Sequence, residues 1–238
     1  MGSLRRSVAL FRLFRQEQSD PDLFYSALAR DSVVQVSRFG GLAGRTVLDV
    51  GGGPGYFRSA FEAAGARYCA VDTDIGELAA VAAPGPNTVL GSGMSLPIGT
   101  GTVDVCFSSN VLEHVPRPWD MADDMVRVAR SGGLIVLSYT AWWGPWGGHE
   151  TAPWHYLGGS RAASVYRRRH GHLPKNCFGT SLFPVTVAAG LTWARGCRTA
   201  QLIAAEPRYL PWWARGIVEV PVVREVATWN LLLVLRAR

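Results

Sequence analysis

The stretch TVLDVGGGPGYF, residues 46–57, constrains this chain more than any other. Thr46-Val47-Leu48-Asp49-Val50 reads as a short, fully buried parallel strand. Gly51-Gly52-Gly53-Pro54-Gly55 reads as a turn, and Tyr56 opens an amphipathic helix. A strand, glycine turn and helix in this order bring bare backbone close to a ligand, with the unpaired N–H groups of the first helical turn facing it.

The spacing narrows the ligand. A dinucleotide turn carries G-x-G-x-x-G, which from Gly51 would put the third glycine at position 56. That position is Tyr56, and the third glycine comes one residue early, at Gly55. Asp49 stands two places before the turn, where a carboxylate suits a cationic amino group better than a pyrophosphate. The pair of features favours S-adenosylmethionine (SAM) over NAD. Farther on, Ala70-Val71-Asp72-Thr73-Asp74 ends a second strand. Asp72 there is placed to accept both ribose hydroxyls of an adenosine, with Thr73 beside it and Asp74 suited to cap a helix.

Strands and helices alternate through most of the chain. Strands are predicted over residues 68–72, 88–91, 103–108 and 134–139, and helices over 75–82 and 119–129, with Ser131-Gly132-Gly133 as the turn into the fifth strand. A helix over 184–189, an edge strand from Leu191 and a buried closing strand over 231–235 complete the pattern. Apolar strands between helices imply a parallel sheet covered on both faces, with ligands beyond the carboxyl ends of the strands. The expected fold class is α/β: a Rossmann-like doubly wound sheet, mostly parallel, with an antiparallel closing strand. One domain of 238 residues is expected. It divides into an N-terminal helical cap (1–40), a SAM-binding core (41–140), a substrate lid inserted after strand five (141–183) and the C-terminal part of the sheet (184–238).

Residues 3–18 have the pattern of a basic amphipathic helix, with Leu4, Val8, Leu10, Phe11 and Phe14 on one arc and Arg5, Arg6 and Arg12 off it. Two readings stand: a helix lying on a membrane surface, or one packed over the cofactor cleft. Ser19-Asp20-Pro21 then caps a second helix running to about Phe39.

Three further constellations carry chemistry. Gly91-Ser92-Gly93-Met94 follows strand three, where small residues leave room for an adenine, Met94 packs on its face and Ser92 offers a hydrogen bond. Ser108-Ser109-Asn110 ends strand four, and Asn110 is placed to line the cofactor. Asn110, Glu113 and His114 form an N-x-x-E-H set that invites a metal. The alternative, that Glu113-His114 orders the loop before Pro116 and Pro118, is preferred, and no metal is expected. The richest set leaves strand five: Trp142-Trp143-Gly144-Pro145-Trp146-Gly147-Gly148-His149-Glu150, then Trp154-His155-Tyr156. Trp143, Trp146, Trp154 and Tyr156 are expected to wall a substrate site. His149 is expected as the base for an acceptor hydroxyl, with Glu150 orienting it and His155 as the alternative base.

Composition removes other classes. Apolar residues make up 48% and charged residues 18%, which are globular values that exclude a disordered chain. The net charge of +6 is almost all arginine, with Lys175 the one lysine, and fits a GC-rich genome better than a nucleic-acid footprint. The basic run Arg161, Arg167, Arg168, Arg169, His170, His172 and Lys175 offers a grip for a phosphate or anionic head group, or simply a solvated helix face. Four cysteines without C-x-x-C or zinc spacing fit a reducing compartment. No apolar run has the length of a membrane span. A cytoplasmic protein is expected, with peripheral contact at the inner face of the plasma membrane left open by the N-terminal helix.

These motifs resemble class I SAM-dependent methyltransferases of the small-molecule branch. The resemblance covers VLDVGGGPGYF (47–57), AVDTD (70–74), GSGMSLP (91–97), SSNVLEHVPRPW (108–119) and GGLIVLSYT (132–140). More narrowly, WxGPxGGHE (142–150), HYLGG (155–159) and HGHxxKN (170–176) resemble actinobacterial methyltransferases associated with cell-envelope glycolipid genes, including trehalose mycolate metabolism. The resemblance implies that Asp49, Gly51, Gly53 and Gly55 cradle the methionine part of SAM, that Asp72 holds the ribose and that Asn110 lines the cofactor. Two departures matter: Ser92 stands where the family often carries aspartate, and Asn110 stands at the first carboxylate of the E-x-x-E-H set that some quinone O-methyltransferases use for metal. The implied activity is methyl transfer to a hydroxyl of a small molecule or glycolipid. Two alternatives are a non-catalytic SAM-binding protein assisting envelope lipid metabolism, and an RNA or protein methyltransferase. Against the last, the end of strand four lacks an N/D-P-P-Y stacking platform.

Overall fold

The computed structural model describes residues 2–17, 19–74 and 87–238. The helix predicted over 75–82 lies outside the described residues. Helix α1 (Leu4–Phe14) starts under Ser3, whose hydroxyl accepts from Arg6 N. Helix α2 (Pro21–Ser37) starts under Asp20, whose carboxylate accepts from Leu23 N, with Pro21 in the first turn. The start of α2 follows the capping chemistry written in Ser19-Asp20-Pro21.

The sheet contains β1 (Thr46–Val50), β2 (Arg67–Asp72), β3 (Thr88–Leu90), β4 (Val103–Ser109), β5 (Ala129–Thr140), β6 (Ala200–Pro207) and β7 (Asn230–Ala237). Helices α3 (Arg58–Ala63), α4 (Pro118–Val128), α5 (Gly159–His170), α6 (Val187–Gly196) and α7 (Val223–Ala227) connect or flank them. Among the described residues the strand order is β3-β2-β1-β4-β5-β7-β6. The pairs from β3 through β5 are parallel, and β7 runs antiparallel to both β5 and β6. This is the expected Rossmann-like sheet with one reversed strand. The chain leaves β1 toward β2 and β3, then returns to place β4 on the other side of β1. That reversal opens a crevice at the carboxyl ends of β1 and β4.

Period-two alternation sorts the core onto two faces. Val47, Val105, Phe107, Leu134, Val136, Leu232 and Val234 pack with Phe24 and Leu28 of α2 and Phe61 of α3. Leu48, Val50, Cys106, Ile135, Leu137, Leu233 and Leu235 pack with Met121 and Met125 of α4 and Leu191 of α6. Met121 and Met125 are fully buried, and each contributes about 1.5–3 kcal/mol by leaving water.

Two boundaries differ from the sequence reading. The helix before β6 runs to Gly196, and the edge strand begins at Ala200 rather than at Leu191. Val187, Gly190, Leu191 and Ala194 are its buried residues, at i, i+3, i+4 and i+7, and Thr186 caps it by accepting from Ala189 N. The Ser131-Gly132-Gly133 turn lies within β5: pairing to β4 begins at Val103–Ala129, breaks, and resumes at Val105–Leu134. A bulge therefore carries the glycines that were assigned to a turn before the strand.

The segment after β5 is built from two short 3-10 turns, His149–Thr151 and Trp154–Leu157, followed by α5. Helix α1 packs inward onto this segment: Phe11 and Phe14 meet the Trp146 ring at centroid distances of 6.4 and 5.3 Å. Its Arg6 forks onto Asp31 of α2 and reaches the Arg208 carbonyl, while Leu4 and Val8 stay exposed. Arg208 itself is buried and donates to Ser32 of α2, Ser109 of β4 and Ser138 of β5, which ties α2 to the carboxyl end of the sheet. Among the described residues, no helix is long and apolar enough to cross a membrane.

Candidate active site

The glycine turn after β1 meets the end of β4 directly. Gly51 has φ +78°, and a Cβ there would lie 2.4 Å from Val111 Cγ2. Glycine is required twice at this position, for the left-handed backbone and for the close approach. Gly53 and Gly55 are also left-handed, but a Cβ on either would meet nothing within 4 Å. The space beside them is open, as a turn that receives a ligand must be. Gly52, which the sequence reading passed over, closes the other side: its Cβ would lie 3.1–3.3 Å from Ala70 Cβ, Tyr68 Oη and Asp49 Cγ.

Asp49 therefore lies beneath the turn. It is 1% exposed, and Tyr68 Oη donates to its Oδ2 at 2.5 Å. Burial pushes its carboxyl up to about 7, against the pull of the Tyr68 hydrogen bond toward the charged form. A cation above the turn would restore the carboxylate. Asp72 reaches the same turn from β2, accepting from Gly53 N at 2.9 Å and from Asp74 N at 3.0 Å. Thr73 beside it is exposed. The open glycine backbone and two carboxyl groups converging on it suit SAM, which carries an ammonium and a ribose diol; bound there, it supplies an electrophilic methyl group on a sulfonium sulfur.

On the far side, Ser92 holds the Gly91–Ser95 turn: its Oγ accepts from Met94 N at 3.2 Å. Gly93 sits against Met121 and Val50, and Met94 packs on the same core cluster. Asn110 is left-handed at φ +58°, bonds Ser138 O through its N–H, and its Oδ1 accepts from Asn230 Nδ2 at 2.7 Å. Asn230, at the start of β7, carries no sequence signal for this role, because only the antiparallel closing strand brings it there.

The segment after β5 returns to the end of β4. The His149 ring stands edge-on to His114 at 5.0 Å between centroids. One ligand atom each from Glu113, His114 and His149 lies within 4.8 Å of the other two. Glu113 is 1% exposed; its Oε1 accepts from Thr140 N, and its Oε2 is buried without a partner. His114 Nδ1 is 2.7 Å from Ser181 O. His149 is left-handed at φ +48°, with Nδ1 buried and unpartnered. Burial lowers its pKa, Glu113 opposes that and His114 adds to it. The set read in sequence as Asn110, Glu113 and His114 is thus assembled differently, with His149 beside the last two and Asn110 bonded elsewhere.

The other expected residues separate by contact. Glu150 accepts from Asn176 Nδ2 through Oε1 at 2.8 Å, and its Oε2 is buried without a partner. His155 is fully buried, its Nε2 is 3.1 Å from Gly144 O, and its ring lies between Trp142 and Tyr156. Gly148 makes room for it, since a Cβ there would lie 2.4 Å from His155 Cβ. Trp146 meets α1, Trp143 and Tyr156 share a hydrogen bond from the tyrosine hydroxyl to the Trp143 carbonyl, and Trp154 lies under the Arg169 guanidinium at 4.7 Å. The four aromatic residues thus have three separate sets of contacts.

Residues 48–137 match the model of a methyltransferase domain. An "uncharacterized methyltransferase" of Mycobacteroides abscessus is 52% identical over 99% of this chain and 95% of its own length. One of Mycobacterium avium is 55% identical over 98% of this chain and 96% of its own length. Among solved structures, an S-adenosylmethionine-dependent methyltransferase of Mesorhizobium loti superposes with a TM-score of 0.59 over 87% of this chain and 97% of that one, at 18% identity, a likeness of fold. The glycine turn, the paired carboxyl groups and these whole-length relatives agree, and the chain belongs to the family of these mycobacterial methyltransferases as a SAM-dependent enzyme.

Proposed function

We propose that this methyltransferase acts on a hydroxyl of a small molecule or glycolipid, with the acceptor entering between the glycine turn and the segment that follows β5. In this reading Asp49, Gly51, Gly53 and Gly55 hold the methionine part of SAM. Asp72 and Thr73 hold the ribose, Ser92, Gly93 and Met94 border the adenine, and Asn110 closes the methionine side. Trp143, Trp146, Trp154 and Tyr156 supply apolar surface around the entry.

The observation that carries the acceptor side is His149. It comes from the lid, stands beside the end of β4 and keeps a buried nitrogen without a partner. An acceptor hydroxyl must lose its proton as the methyl moves, and a neutral imidazole facing the acceptor is suited to that. Glu150 is the neighbouring carboxylate that balances it. His155 is spent on the Gly144 carbonyl and is assigned to holding the loop. Most of the rate is assigned to orientation, since a methyl transfer needs its two atoms in line and in contact.

The test incubates the full chain with methyl-labelled SAM and with separate lipid and polar extracts of an actinobacterial envelope. A labelled ether in either extract, lost in His149→Ala while SAM affinity stays within about twofold, supports the reading. A labelled amine or carboxyl ester as the sole product sinks it.

A further inference from the structure

We propose that Glu113, His114 and His149 bind one divalent transition-metal cation, whose open positions take the acceptor oxygen. The inference rests on the hydroxyl reading for the identity of that oxygen, and on geometry alone for the cation.

Glu113 and His114 lie on the 3-10 turn Leu112–His114 after β4, and His149 lies on the turn His149–Thr151 of the lid. Their ligand atoms fall within 4.8 Å of one another. Around one ion with bonds of roughly 2.0–2.2 Å, neighbouring ligands stand about 3 Å apart and opposite ones about 4.3 Å. Small side-chain rotations therefore close the set on an ion.

Two buried atoms in the set have no partner, Glu113 Oε2 and His149 Nδ1. A carboxylate oxygen sealed from water with no donor is costly, and Glu113 is 1% exposed. Its other oxygen is held by Thr140 N, which aims the free one. His114 Nδ1–H donates to Ser181 O, which fixes the tautomer and leaves the Nε2 lone pair to coordinate. A backbone carbonyl on the outer nitrogen is the support that metal-bound histidines generally have.

The donor set selects the ion. Two imidazoles and one carboxylate suit zinc, manganese, iron(II) or cobalt, whereas magnesium and calcium prefer oxygen throughout. Three protein ligands leave room for an exogenous one, as in sites that act on a substrate. A cation held by these three residues would make a bound acceptor hydroxyl more acidic; its proton would pass to solvent as the oxygen forms a bond to the methyl carbon and the bond from that carbon to the sulfonium sulfur breaks, the electron pair staying on sulfur. With the cation bound, the His149 lone pair is held by the ion, so the proton-accepting role given to it above belongs to the cation-free chain. Because His149 comes from the lid, the same ion would pin the lid to the sheet when the acceptor is bound.

The experiment titrates chelator-stripped full chain with Co2+ and then Zn2+, following cobalt d–d absorption and heat. One equivalent with nitrogen and oxygen bands is expected, displaced by Zn2+ and weakened at least tenfold in both Glu113→Gln and His149→Ala, with SAM affinity kept as the check on folding. Absence of binding by the wild type up to about 1 mM cation overturns the site. So does binding kept by His149→Ala, or binding lost instead in the His170→Ala, His172→Ala double variant. Methyl transfer undiminished by chelator also overturns the site and leaves the hydroxyl reading standing. Cation binding with methylation of amines alone leaves the site standing and removes the hydroxyl reading.

Discussion

Tyr68 Oη donates to Asp49 Oδ2 at 2.5 Å beneath the glycine turn, and both residues are buried. The register explains the contact. Val47 of β1 lies opposite Tyr68 of β2, so Asp49, two residues on, is the diagonal neighbour of Tyr68 on the same face of the sheet. The pair is a polar contact set into the apolar cluster shared with α3.

The pH dependence of stability follows from this pair. The Asp49 carboxyl has a folded pKa raised from 3.8 to about 7, so between these values the folded chain keeps a proton that the unfolded chain has lost. The stabilising effect is full below the unfolded pKa, declines as pH rises toward 7 and is gone above it. Asp49→Asn should flatten that decline in urea unfolding measured without cofactor. Tyr68→Phe should cost about 1–3 kcal/mol at pH 8, where the carboxylate needs its donor, and less at pH 5.

Alanine at two glycines of one turn should behave differently. Gly51→Ala brings a Cβ to 2.4 Å from Val111 and asks alanine to hold φ +78°. It should cost about 2–4 kcal/mol and abolish SAM binding in calorimetry. Gly53→Ala has the unfavourable φ but open space, so its cost should be about 1 kcal/mol.

The two histidines of the segment after β5, His149 and His155, should separate by readout. His155→Ala removes a fully buried ring and its bond to Gly144 O, and should lower unfolding free energy by about 2 kcal/mol. His149→Ala should change stability by less than about 1 kcal/mol while removing product from labelled SAM. Equal stability losses would mean that His149 is also a packing residue.

Helix α1 provides a fourth test. Phe11→Ala with Phe14→Ala removes both ring contacts to Trp146, each worth about 0.5–1.5 kcal/mol. Limited proteolysis between Trp142 and Gly159 should accelerate several-fold, and tryptophan emission should shift to the red. Unchanged proteolysis with loss of binding to anionic vesicles would favour the membrane-surface reading of this helix.

The strands that build the crevice were legible because their residues form short apolar runs between glycine turns. The places of Asp49, Gly51 and Asp72 around the glycine turn were legible for the same reason, because they stand at fixed positions relative to strand ends. The helix before β6 was read over 184–189 only, although the spacing of Val187, Leu191 and Ala194 carries it on to Gly196.

What the sequence determined by itself is local: an α/β alternation, a glycine turn of a given spacing, and the side chains at its edges. The tertiary structure decided the rest. It turned Asp49 inward onto Tyr68, put Val111 against Gly51, joined Asn110 to Asn230 and carried His149 back to Glu113 and His114. Each of these contacts joins residues far apart in the chain. Backbone periodicity fixes which face a residue occupies, but which distant side chain meets it there depends on strand order and on the path of the segment after β5.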